Sequence, residues 1–130
     1  MVEAATKERS RIKIMLWLLI VGLGSLFILF ATKYTMLKLR VAFADDQIAI
    51  FEQMRTLANG TTDPNGLSED LQYVVNYYPS GSKQLSGTHL DKIVETARSN
   101  AIASIISRLR ATTGKNLGSD AEQWIKAYSN

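Results

Sequence analysis

Residues 14–32 read IMLWLLIVGLGSLFILFAT, nineteen positions without a charge, and no other feature of the chain narrows its fold as much. As a helix rising about 1.5 Å per residue this run spans about 28 Å, close to the hydrocarbon thickness of a bilayer. Twelve of the nineteen are Leu, Ile, Phe or Val, together worth about -4 to -7 kcal/mol of insertion free energy on a central-position scale. The alternative is a buried core helix. A chain of 130 residues has too little other structure to wrap a helix that is apolar on every face, so the run predicts a transmembrane helix. A cleaved signal peptide would have a shorter apolar region of about 7 to 15 residues. The small-x-small sequence Ala42-Phe43-Ala44 also lies beyond Lys33, Lys38 and Arg40, so an uncleaved anchor is favoured.

Charge sets the expected orientation. Lys7, Arg9, Arg11 and Lys13 make residues 1–13 a basic N-terminal tail, and Lys33, Lys38 and Arg40 follow the apolar run. Four cations against three, by the positive-inside bias, place the N-terminus in the cytoplasm and the C-terminal domain outside, in a bacterial inner membrane. Lys33, Lys38 and Arg40 are expected to contact anionic lipid head groups. Without those three, the part after the apolar run carries 8 basic against 10 acidic residues. A nucleic-acid binder needs a clustered positive footprint, so nucleic acid is not an expected partner despite a sequence pI near 9.3. The expected partners are membrane lipid, another membrane or periplasmic protein, or a second copy of the chain. With no cysteine, disulfide frameworks, thiolate metal sites and cysteine nucleophiles are excluded.

Beyond the membrane run the periodicity is helical. Val41, Ala44, Ile48, Phe51 and Ala58 recur at three, four and seven, with Phe43, Ile50, Met54 and Leu57 widening the stripe, which predicts a membrane-proximal helix over 33–58. This stripe reads either as one face of a small bundle or as a coiled-coil seam, and Arg55 at the next heptad position favours the bundle. Asn59-Gly60 should end the helix on a left-handed glycine, with 61–66 as a turn-rich loop. Leu67, Leu71, Val74, Val75 and Tyr78 predict a short helix that Pro79 stops. Residues 79–88 form a loop. Thr88 and Asp91 then resemble a capping pair ahead of the stripe Leu90, Ile93, Val94, Ala97, Ala101, Ile105 and Leu109. The expected architecture is all-α: one N-terminal transmembrane helix (14–32) followed by a small domain of about four helices, with residues 67–130 forming its main body.

The segment from Leu109 to Ile125, LRATTGKNLGSDAEQWI, resembles the L-R-x-x-T-G-x-x-L-G-x-D-x-x-x-W ending of bacterial HEAT-repeat-like proteins. The resemblance implies a helix ending on Gly114, a tight loop burying Leu117, a helix capped by Ser119, and Trp124 laid back over the 89–113 helix. Spacing alone puts Ala121, Trp124, Ile125 and Tyr128 on one face of that last helix. It covers one copy only, so it implies a helix-loop-helix and a tendency to bind protein, not a solenoid. The chain as a whole resembles small bacterial single-pass membrane proteins, which implies no reaction.

Catalytic chemistry finds little support. His89 is the single histidine, without a second imidazole or thiolate for a metal site. Gly81-Ser82-Lys83 and Gly114-Lys115 lack the spacing and preceding strand of a phosphate loop, and each lysine is expected to be solvated. Asp45-Asp46, Glu69-Asp70 and Asp91/Glu95 would need a cleft with unlike environments to divide acid and base roles. No cofactor is expected. Tyr78, Trp124 and Tyr128 fall on apolar stripes and are expected in the core, while Tyr73 and Tyr77, four apart, make a candidate partner-binding patch. The expected function is a membrane-anchored protein-interaction module or accessory subunit without catalytic activity. The alternatives are a structural homo-oligomer held by the membrane and juxtamembrane helices, or a membrane-tethered carboxylate enzyme.

Overall fold

The computed structural model describes the backbone of residues 2–128 and the side chains of residues 8–128; Met1 and the Lys7 side chain lie outside them. Among the described residues the fold is all-helical: α1 (Val2–Gly60), α2 (Pro64–Asn76), α3 (His89–Thr113) and α4 (Ala121–Tyr128). The chain divides into two units, Met1–Leu39 and Arg40–Asn130.

The first unit is α1 alone as far as Leu39. The basic tail belongs to this helix rather than preceding it, since its Ala, Glu, Lys and Arg residues are good helix formers. The apolar run is exposed along its length, with Trp17 68% and Phe30 73% accessible. It is long and apolar enough to cross a membrane, and none of it is buried. Its hydroxyls bond within the helix: Ser25 Oγ donates to the Val21 carbonyl and Thr32 Oγ1 to that of Ile28, both at 2.8 Å.

In the second unit the end of α1 changes character. Ala44, Phe51 and Ala58, seven apart, are fully buried, and Gln47 lies on the same face, so the heptad positions are filled by this unit's own core. Val41 and Leu57 are exposed. Gly60 closes α1 without a positive φ. The turn is instead made by the Thr61 N–H donating to the Ala58 carbonyl at 3.3 Å. The expected 61–66 loop is shorter than predicted, because Asp63 caps α2, accepting from the Asn65 and Gly66 N–H groups, and Pro64 opens the helix with its φ already set.

Helix α3 begins as the sequence suggested, with Thr88 Oγ1 accepting from the Asp91 N–H. Its core face is Val94, Ala101, Ile105 and Leu109; Ile93 is 55% exposed and does not belong to it. Gly114 ends it in the left-handed conformation (φ 68°), its N–H donating to the Arg110 carbonyl. A Cβ at Gly114 would meet nothing within 4 Å, so glycine is required there by backbone conformation and not by crowding. The loop that follows half-buries Leu117 against the core. Ser119 is not the cap of α4. The helix starts one residue late for that, and the Asp120 carboxylate accepts the Glu122 N–H at 3.0 Å. Trp124 is fully buried, and its Nε1 donates to the Gly118 carbonyl at 2.9 Å. Tyr128 is stacked on it at 6.4 Å between centroids. Helix α4 lies chiefly against α2 rather than back over α3, and Ser68 Oγ reaches the Ile125 carbonyl.

Candidate functional site

The tyrosines at the end of α2 are brought together. Tyr73 and Tyr77, one turn apart, have centroids 5.2 Å apart, and Tyr77 meets Tyr78 edge-on at 4.8 Å. Tyr77 is half-buried, its ring perpendicular to that of Phe51 at 6.0 Å. Tyr73 and Tyr78 are 45% and 43% exposed. The core position expected for Tyr78 is therefore wrong: the helix has ended by then, with Tyr77 as its C-cap, so the helical stripe no longer sets where the ring points. With Glu69, Gln72, Asn76 and Pro79 the three rings line an open groove of about 670 Å³.

One buried cation holds this end of α2 in place. The last carbonyls of a helix have no partner within it. Here Arg98, 7% exposed on the core face of α3, donates through Nη1 to the Val74 and Val75 carbonyls at 2.8 and 3.2 Å. Through Nη2 it donates to the carbonyls of Tyr77, at 2.6 Å, and Tyr78. Nε meets Glu95 at 3.2 Å, and the guanidinium carbon lies 5.0 Å from the Phe51 centroid. A positive charge is favoured at a helix C-terminus, and only a planar fork can serve so many carbonyls at once. Tyr78 has a φ of 38°, a strained value for a side-chain-bearing residue, held by Arg98 and by Gln47 Nε2, which donates to the same carbonyl at 3.4 Å.

The following loop is fastened at two points by Asp91, which accepts from Ser80 Oγ at 2.8 Å and from the Gly87 N–H at 2.8 Å. These bonds, Gly87 first and Ser80 next, hold its carboxyl below the usual range against the opposing effect of burial. Between them Lys83 is not simply solvated: its ammonium lies 4.4 Å from the Tyr78 centroid and 4.8 Å from that of Phe43. Burial raises the Tyr77 phenol, with Tyr73, Tyr78 and Asp46 adding to it. Burial, with Glu69 adding, likewise raises Asp70.

The other residues singled out by sequence lie apart. Asp91 and Glu95 do not form a couple, since one holds the loop and the other meets Arg98. His89 is exposed, and no cluster of three metal-ligating groups occurs among the described residues. Lys33 is exposed, Lys38 lies 4.9 Å over the Tyr34 ring, and Arg40 belongs to the second unit, where it is half-exposed. Lys115 is exposed but has its ammonium 5.4 Å from the Tyr128 centroid. Arg98 was missed, and Lys83 was read only as a solvated loop lysine. A charge at the Val94 plus four position, in the middle of an apolar stripe, was a readable signal for Arg98; Lys83 in a polar loop gave none. The chain matches no protein-family model, no curated protein and no solved structure.

Proposed function

We propose that this chain is a membrane-anchored interaction module, an accessory subunit that performs no reaction itself and docks another membrane or periplasmic protein through the Tyr73, Tyr77 and Tyr78 face. The observation that carries the reading is an exposed aromatic cluster beside an open groove, held rigid by a buried arginine. Tyrosine supplies large contact area at little conformational cost, and rings already locked in place lose less freedom on binding. The coiled-coil route to a homo-oligomer is weakened, because its seam at Ala44, Phe51 and Ala58 is buried within one chain.

Anchoring is supported by the exposed, uncharged run of 14–32 and by its internally bonded hydroxyls, the condition a bilayer imposes on polar groups. Trp17 and Tyr34, seventeen positions apart, lie about 26 Å apart along a helix, the spacing of two aromatic belts. Lys33, Lys38 and Arg40 would then neutralise lipid head groups, with the N-terminus cytoplasmic.

The test is a photocrosslinking amino acid at position 73 in native membranes. A defined heterologous adduct lost in Tyr77→Ala supports the reading. Self-adducts alone would establish the homo-oligomer in its place.

A further inference from the structure

The turn between α1 and α2 is flanked by two Asn-Gly pairs, Asn59-Gly60 and Asn65-Gly66. Glycine after asparagine leaves the next main-chain nitrogen unshielded, so that this nitrogen, once deprotonated, can attack the side-chain amide carbon. An N–Cγ bond forms, the side-chain nitrogen leaves as ammonia, and the product is a five-membered succinimide. Water then adds to either imide carbonyl and opens the ring, giving aspartate or, where the main chain is rerouted through the side chain, isoaspartate. Neither an oxidant nor a reductant is needed. What a fold controls is whether the asparagine's peptide unit can turn far enough to bring nitrogen onto carbon, because helical backbone holds the two apart.

Both asparagines are exposed and both pairs are helical, but the two helix ends hold them differently. Asn65-Gly66 lies in the first turn of α2. The Gly66 N–H, which would supply the attacking nitrogen, donates to Asp63 Oδ2 at 3.0 Å, and the Asn65 N–H donates to Oδ1 at 3.2 Å. A carboxylate at that N–H opposes the loss of its proton. The Leu67 N–H is tied to the Asp63 carbonyl at 3.1 Å, and Leu67 and Ser68 are buried, so turning this peptide unit unmakes a packed helix start. Space is short as well, since a Cβ on Gly66 would lie 3.3 Å from Asp63 Oδ2 and 3.7 Å from Thr61 Cγ2. Asn59-Gly60, by contrast, closes α1. A helix's last carbonyls lack partners within it, and its end is where opening costs least. A Cβ on Gly60 would meet nothing within 4 Å, and the backbone tie that follows, from the Thr61 N–H to the Ala58 carbonyl, is long at 3.3 Å.

We propose that Asn59 is a site of spontaneous deamidation in the folded protein, and that the Asp63 cap protects Asn65 from the same reaction. Conversion puts a carboxylate at a helix C-terminus, where negative charge is disfavoured. In the isoaspartate form it also adds a methylene to the main chain two residues ahead of Thr61, whose carbonyl accepts from Arg108 Nε at 3.1 Å and so ties the α1–α2 turn to α3. The modification therefore accumulates with the age of the chain at the one turn that joins its long helix to α2, and it does not depend on what the tyrosine face docks.

The experiment holds the full-length protein in maltoside micelles and mildly alkaline buffer and samples it over time. Peptides from an acidic digestion are weighed for the replacement of NH2 by OH, and electron-transfer fragmentation separates isoaspartate from aspartate. Synthetic peptides of residues 55–62 and 62–69 give the two rates without a fold. Both peptides should react faster than either site in the protein, and within the protein Asn59 should convert about fivefold faster than Asn65, the factor that an N-cap represents. Asp63→Ala should raise the Asn65 rate by about that factor and leave the Asn59 rate unchanged, and Asp63→Ser, which keeps a cap without the charge, should raise it less. Equal rates at the two sites of the parent protein, faster conversion at Asn65, or no conversion at Asn59 by the time the 55–62 peptide is consumed would overturn the proposal. An unchanged Asn65 rate in Asp63→Ala would overturn the protective role of the cap.

Discussion

Two stretches of one helix obey opposite rules. Over 14–32 nearly every side chain is apolar and exposed, and the few polar atoms bond to the backbone one turn earlier. Over 44–58 apolar side chains are buried only every seventh residue, and Asp45, Glu52 and Arg55 face outward. Backbone geometry is shared, so the difference lies in what the side chains of each stretch meet. Where the surroundings are hydrocarbon the helix needs no partner, and where they are water it must cover one stripe with other helices. The contrast extends to polar groups: the apolar run keeps them local, whereas the folded unit sends Arg98, Asp91 and Trp124 to backbone partners on other segments.

The contrast breaks most sharply if charge is placed in the first stretch. Leu23→Arg with Leu26→Arg should raise the cost of insertion by roughly 6 to 8 kcal/mol, seen as transfer of the full-length protein from the carbonate-resistant pellet to the supernatant. In the second stretch the largest effect belongs to Trp124→Ala, which should cost about 3 to 5 kcal/mol, enough to abolish the cooperative thermal transition of the micellar protein. Retention of a parental transition would mean the ring is dispensable to the core.

Arg98→Met should follow at about 2 to 3 kcal/mol, since it leaves the carbonyls of Val74, Val75, Tyr77 and Tyr78 short of a donor. Arg98→Lys should rescue little of it, because a single ammonium cannot reproduce the fork. Asp91 gives a pH signature. Its folded carboxyl is held below the ordinary 3.8, so the stability it contributes is complete above that value and disappears as pH falls through the folded one. Asp91→Asn should therefore be the less stable protein at neutral pH and show a shallower loss of helical signal on acid titration. The smallest effect is at Gly114→Ala, about 1 kcal/mol, since only the left-handed backbone opposes a side chain there; thermal unfolding reads it directly, and Gly114→Asn should cost less.

Much of this was legible because it depends on local sequence. The apolar run, the Thr88 cap and the Gly114 stop all rest on residues within a turn of one another, and each stands where spacing placed it. The misplacements fall where local choices are close. Ser119 and Asp120 are adjacent and both able to cap, and the winner is set by where Ala121 enters the helix. Tyr78 reads as helical until the chain turns at Tyr77, two residues ahead of Pro79. The tertiary contacts were opaque for another reason: the partners of Arg98 are backbone carbonyls, which every residue carries, so no side-chain pattern announces them. Tyr73 and Tyr77 were readable as a pair, but the support of Tyr77 from Phe51 and Arg98, and of the neighbouring Tyr78 from Lys83, comes from three different segments.

The arginine clamp on α2 also imposes an order in time. The carbonyls it serves belong to residues 20 to 24 positions earlier in the chain, so when α2 has been synthesised its last turn has only water to bond with. At about 5 to 20 residues per second the guanidinium follows within seconds, and it acts only once α3 has packed. The tyrosine face is thus assembled after the apolar run has been made, and a nascent chain halted before Arg98 would carry the three rings without the clamp that fixes them as one surface.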